Sequence, residues 1–144
     1  MTRLAIWGVA ALILLAAGPA HAAPNFSFGD DSGDYSRDGE CDDPRFDGPG
    51  MTATDLLSDD ILHDASDCEA AFKDGKLTLR GVAEDGSIDF GDDEGEYAND
   101  GECDDLRFIG SGMTATGLIQ DDIMHDATDC RTAYEAGKLK LNLR

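Results

Sequence analysis

The stretch Asp38-Gly39-Glu40-Cys41-Asp42-Asp43, DGECDD, recurs letter for letter at Asp100 to Asp105. Twice, a cysteine and a turn-forming glycine sit among carboxylates. Shifting the chain by 62 residues overlays Phe28 to Arg80 on Phe90 to Asn142 without a gap, with 34 of the 53 positions identical. The chain therefore reads as two tandem units, residues 23–80 and 90–144, joined by a short polar linker, 81–89. Any site assigned in one copy has to work in the other.

Upstream of the repeat, Arg3 precedes an apolar run from Leu4 to Ala17, then Gly18-Pro19 and Ala20-His21-Ala22. That order is the pattern of a secretory signal with an A-x-A cleavage site. The apolar run falls short of the ~20 residues a membrane span needs, and no cysteine stands near the cleavage point to carry a lipid. Residues 1–22 are thus expected to be a signal peptide, with the protein exported to the periplasm or the extracellular space. The formal net charge is −20, and it grows by one when Arg3 leaves. Such a charge repels nucleic-acid phosphates and anionic lipid, which excludes both as partners. It also strains a compact fold unless cations neutralise it. All four cysteines, Cys41, Cys68, Cys103 and Cys130, follow the cleavage point. An even count in an oxidising compartment reads as two disulfides, and spacing alone leaves all three pairings open.

Each unit repeats one internal order. An acidic, glycine-rich loop, Phe28 to Asp43, leads to Arg45-Phe46 and a Gly48-x-Gly50 turn. Leu56, Leu57, Ile61 and Leu62 are spaced for a short helix or two helical turns. The segment from Asp64 to Cys68 reads as a helix start, Ser66 and Glu69 have capping-box spacing, and Gly75 fits the C′ position. Lys76-Leu77-Thr78-Leu79 and its copy Lys138-Leu139-Lys140-Leu141 alternate like short strands, which can pair between units. The apolar inventory is thin: Tyr35, Phe46, Met51, Leu56, Leu57, Ile61, Phe72, Leu77 and Leu79 in the first unit. A core this small needs disulfides, metals or a packed neighbour. The expected fold class is a small α+β, loop-rich, disulfide-bonded tandem repeat.

The acids divide into a front loop (Asp30, Asp31, Asp34, Asp38, Glu40, Asp42, Asp43) and a back segment (Asp59, Asp60, Asp64, Asp67). Gathered together they repel one another, and a hard cation taking six to eight oxygen ligands, as Ca²⁺ does, relieves that repulsion. Gly29, Gly33 and Gly39 allow backbone carbonyls to turn inward as further ligands. Asp30, Ser32, Asp34, Ser36 and Asp38 have EF-hand spacing, but Tyr35 stands at the turn glycine and Cys41 at the bidentate glutamate, so an EF-hand is excluded.

The pattern Asp38-Gly39-x-Cys41-Asp42 followed by Asp64-x-x-Asp67-Cys68 resembles the core of the Lin-Notch repeat, a small extracellular calcium module. The likeness covers roughly ten residues per unit. Here each unit has one cysteine pair where that family has three disulfides, and Ala65 and Ala127 replace a glycine. The resemblance implies that Asp38, Asp64 and Asp67 are side-chain ligands to calcium, as are Asp100, Asp126 and Asp129. Asp42 and its copy Asp104 would assist, with a backbone carbonyl near Glu40. It also implies the bridges Cys41–Cys68 and Cys103–Cys130. Such a bridge draws Asp38 and Asp42 against Asp64 and Asp67, and closing its loop contributes about 3 to 4 kcal/mol in the chain-entropy model.

Catalytic readings find less support. His63-Asp64 with Ser66 hints at a hydrolytic triad, but no nucleophile elbow is present and Thr128 replaces Ser66 in the second copy. The cysteines are too far apart for a C-x-x-C redox pair or a structural zinc site. Zinc held by His63 with carboxylates and a glycosidase-like carboxylate dyad are weaker readings, and no P-loop is present. The sequence thus points to a non-enzymatic, exported calcium-binding module. The alternative is a metal-free acidic module that captures a basic exported protein.

Overall fold

Gly48 and Gly110 hold positive φ, 137° and 148°, and a side chain at either would run into the carbonyl of Lys76 or Lys138. This close approach sets the sheet topology. In the computed structural model, which describes residues 25–144, β1 (Phe46–Asp47) pairs antiparallel with β2 (Thr78–Leu79), Phe46 facing Leu79. In the second unit β3 (Phe108–Gly110) pairs with β4 (Leu139–Leu141), Phe108 facing Leu141. The short strands expected from alternation are therefore present, with Leu77 and Leu79 buried and Thr78 exposed. They pair within each unit, not between units, with Gly48 and Gly110 admitting the close approach of each Phe segment to the Lys76 or Lys138 carbonyl beside the partner strand. The signal-peptide reading falls on residues outside those described.

Between the paired strands the chain makes a 3-10 turn (Ser58–Asp60, copied at Gln120–Asp122) and one helix: α1 (Ala65–Lys73), or α2 (Ala127–Glu135) in the second unit. Helix α1 begins two residues earlier than a Ser66 cap requires, with Asp64 at the N-cap. The Ser66–Glu69 capping box does not form. Instead Ser66 donates its backbone N–H and its hydroxyl to Asp31, each at 2.7 Å, and Ala65 N–H donates to the Asp30 carbonyl. A distant carboxylate thus satisfies an orphan helix donor that the local sequence leaves open. The C-terminal end is as expected. Gly75 has φ 71°, its N–H reaches the Phe72 carbonyl, and Lys76 N–H reaches Ala71, a Schellman motif.

Three small apolar clusters support the fold. The first gathers Phe46, Leu77, Leu79 and the Cys41–Cys68 bridge, with Phe26, Phe28 and Phe72 against it; Phe28 stacks on Phe46 at 5.5 Å. The second repeats this with Phe90, Phe108 and Leu139. The third lies between the units, where Ile61, Leu106 and Ile123 meet. Two residues expected in the core are outside it: Tyr35 is 50% exposed and Leu57 46%. Tyr35 sits in a run of polar-bonded turns, and Leu57 directly precedes the 3-10 turn, which sends its side chain outward.

The two units close on each other reciprocally. Ser27 N–H donates to the Leu143 carbonyl, and Asp89 N–H, its repeat equivalent, donates to Gly81, both at 2.8 Å. Residues 81–89 form a hairpin, bridged at Val82 and Ile88. The fold is a small α+β, disulfide-bonded structure built from two like units.

Candidate metal centre

The bridges are Cys41–Cys68 and Cys103–Cys130, all four sulfurs fully buried. Each ties a DGECDD loop to the first turn of a helix. Around this tie the aspartates hold the loop's backbone. Asp64 accepts a hydrogen bond from Asp42 N–H at 2.7 Å, and Asp67 accepts one from Gly39 N–H at 3.0 Å. Asp38 folds over its own turn to accept Glu40 N–H. The second unit repeats all three bonds, with Asp126, Asp129 and Asp100 as acceptors and Asp104, Gly101 and Glu102 as donors. The loop and the helix start are thus brought together around these aspartates, with Asp42 and Asp64 buried, Asp67 half-buried and Asp38 exposed.

Each of these backbone bonds uses one carboxylate oxygen. Among the described residues, the buried side-chain oxygens left without any hydrogen-bond partner are Asp42 Oδ2, Asp64 Oδ1, Asp104 Oδ2 and Asp126 Oδ1. They are the same two positions in each copy. Buried polar groups in native proteins are nearly always paired, so an orphan that recurs in both units demands a cause. Burial raises the Asp64 carboxyl to about 7, helped by the charges of Asp67, Asp42 and Asp38. Asp126 is likewise pushed up to about 7. Burial, then the charges of Asp38, Asp60 and Glu40, raise Asp42 to about 6, and Asp104 moves the same way. Among the described residues, no arginine, lysine or histidine hydrogen-bonds to any of these four carboxyls.

The neighbouring residue shows the opposite treatment. Asp43 is as buried as Asp64, each 1% exposed, yet every oxygen is used. Arg45 Nε donates to both its oxygens at 2.9 Å and Nη2 to Oδ2 at 2.6 Å. Arg45 N–H and Leu62 N–H add further bonds. Arg45 then reaches the Ser27 and Asn142 carbonyls, so the buried pair also ties these two distant segments together. Asp105 and Arg107 repeat the pairing and reach Arg80 and Asp89. Two adjacent aspartates are therefore buried side by side, one given a guanidinium and one given no cation from the chain. Sequence reasoning assigned Asp43 and Asp105 only to an acidic loop. The signal that separates them is the repeated D-x-R spacing, DPR and DLR, in a chain poor in cations.

The remaining acids serve other ends. Asp30 and Asp31 are engaged by other partners. Asp30 takes His63 Nδ1 at 2.9 Å and the Ser32 hydroxyl, which lower its carboxyl to about 2. Asp31 caps the helix through Ser66, which also lowers it. Asp60 and Asp122 are buried and raised by that burial, beside Asp59 or Asp121. Gly29 and Gly33 serve close approach, lying against the Leu62 and His63 carbonyls where a Cβ would collide. The Gly33 carbonyl accepts from Ser36 and does not turn inward. Ser66 and His63 do not meet: the hydroxyl goes to Asp31 and the imidazole to Asp30 and Ser32. In the second copy His125 Nδ1 lies 2.6 Å from Asp92, and that bond raises the imidazole.

Asp64 Oδ2 also lies 3.4 Å from Cys68 Sγ, and Cys41, Asp64 and Cys68 cluster closely. With both sulfurs in the disulfide, neither a proton to donate nor a thiolate to ligate exists there, so the potential donors at this centre are oxygens. Among the described residues no helix is long and apolar enough to cross a membrane, and the disulfides fit an oxidising compartment. No family model, curated protein or solved structure matches the chain.

Proposed function

We propose that this is an exported calcium-binding module with one structural metal site per unit and no catalytic role. The observation that carries the reading is the pair of buried, unpartnered carboxylate oxygens in each copy, Asp42 with Asp64 and Asp104 with Asp126. Asp38 and Asp67, or Asp100 and Asp129, are the further ligands that the resemblance implies; their carboxylates would close in on the ion, since the ligand atoms that already lie within 4.8 Å of one another are those of Cys41, Asp64 and Cys68 and of their copies. The donors are all hard oxygens, the chemistry that favours Ca²⁺ over thiolate- or imidazole-seeking metals. The resemblance of the two half-motifs to the Lin-Notch repeat supports Asp38, Asp64 and Asp67 with Asp100, Asp126 and Asp129, whereas Asp42 and Asp104 rest on their unpartnered oxygens. The ion would supply the positive charge that Arg45 supplies to Asp43, and would lock the acidic loop to the helix start. Extracellular calcium modules bind at about 10⁻⁴ to 10⁻³ M, so a weak site suffices outside the cell.

Thermal unfolding across a calcium titration tests the reading. Calcium raises Tm, and Asp67→Ala with Asp129→Ala together remove the rise; equal melting in calcium and in chelator contradicts it. Export is tested separately by sequencing the N-terminus of the mature protein, expected at Ala23.

A further inference from the structure

Leu57 and Ile119 occupy the same position in the two copies. Each has an extended backbone, φ −111° and −123°, and each carbonyl accepts the N–H that closes the following 3-10 turn. That geometry sends both side chains into solvent, 46% and 45% exposed. Their neighbours go the other way: Leu56 is buried, and Leu118 packs on the apolar cluster between the units. Gln120 ties the two turns together by accepting Leu56 N–H at 2.6 Å. The result is a groove of about 460 Å³ on the seam between the units, walled by these four apolar residues. Asp55, Asp59 and Asp121 rim it, and no lysine, arginine or histidine is among the described residues that line it.

Single exposed apolar residues are ordinary on protein surfaces. Two repeat-related ones converging in one acid-rimmed groove are not explained by the packing, since neither contributes to a core cluster. We propose that this groove docks a cationic segment of another protein, in which an apolar residue is flanked by lysines or arginines. Charge selects that occupant. A second copy of this chain would press Asp55, Asp59 and Asp121 against their own equivalents on a molecule of formal charge −20, and like charges juxtaposed across an interface suppress association. A cationic segment meets the rim with opposite charge and covers the two side chains. The groove shares no residue with the buried aspartate centre, so the inference stands independently of calcium.

The test uses the full chain and two labelled synthetic peptides of equal positive charge, one with central leucines and one with serines in their place. Binding is read by fluorescence anisotropy in calcium and in chelator. The leucine peptide binds tighter by about tenfold, the scale expected for covering two half-exposed apolar side chains. That margin vanishes in the Leu57→Ser, Ile119→Ser double variant, whose calcium-induced Tm shift stays that of the wild type. With Asp55, Asp59 and Asp121 all changed to Asn, both peptides weaken and the margin persists. Equal binding of the two peptides to the wild type, binding of neither, or affinities unmoved by the Asn changes overturns the proposal. So does a dimer in sedimentation that the Leu57→Ser, Ile119→Ser changes dissolve, since the occupant would then be a second copy.

Discussion

Replacing Asp64 by asparagine should stabilise the calcium-free protein, against the usual direction for a change at a buried polar residue. Burial carries the Asp64 carboxyl from 3.8 to about 7. At about 1.4 kcal/mol per pH unit, this destabilises the metal-free fold by about 4 kcal/mol at neutral pH. Asparagine keeps the shape and an acceptor for Asp42 N–H, while its amide N–H lacks a partner, which offsets about 1 to 2 kcal/mol. The net is a gain of about 2 to 3 kcal/mol in chelator, or roughly 10 °C in Tm for a chain of this size. In calcium the comparison changes. An ion at a hundredfold its Kd adds about 2.7 kcal/mol per site. The wild type then gains from two sites, Asp64→Asn from one, and the variant with Asp126→Asn as well from none. Calorimetry in chelator and in saturating calcium reads both quantities. An Asp64→Asn variant less stable than wild type in chelator, or one keeping the full calcium increment, refutes the reasoning, because Asp64 would then not be a charge awaiting a cation.

Stability of the chelated protein should fall as pH rises from about 4 to 7, because the folded state holds protons on Asp42, Asp64 and Asp126 that the unfolded state has already released. The calcium increment runs oppositely, large at pH 7.5 and fading toward pH 5 as protons compete for the same oxygens. Below about pH 4 the lowered groups Asp30, Asp31, Asp92 and Asp93 reverse the trend, since their contribution is lost as they protonate. Arg45→Met leaves Asp43 buried without its partner and should cost about 3 to 5 kcal/mol by denaturant unfolding; calcium will not restore it. Gly29→Ala forces a side chain onto φ 87° against the Leu62 carbonyl and should lower stability by more than about 1 kcal/mol.

The parts of this fold legible in the sequence are those decided within a few residues. The alternation of Leu77 and Leu79, the Gly75 helix end and the 62-residue repeat each carry their own signal, and the half-motif resemblance gave the disulfide pairing. What was not legible depends on which groups distant in sequence the fold brings together. Ser66 looks like a helix cap by spacing, yet Asp31, 35 residues away, satisfies it from inside the helix. The capping box ranks one local partner and cannot weigh a remote carboxylate. Asp42 and Asp43 are adjacent identical letters, and only the fold shows that Arg45 turns to Asp43 and leaves Asp42 beside Asp64. Tyr35 and Leu57 passed as core by hydrophobicity, whereas turn geometry places them outside. Phe26 and Phe28, in the first described residues, supply aromatic packing that an inventory centred on the repeat interior underweights.

Isothermal titration of calcium into the chelated protein at pH 7 tests the central claim most directly. The account predicts two sites per chain, with protons released on binding because Asp64 and Asp126 are partly protonated near pH 7. It further predicts one site in Asp64→Asn and none when Asp126→Asn is added. No binding heat in any buffer, or two sites surviving both substitutions, contradicts it.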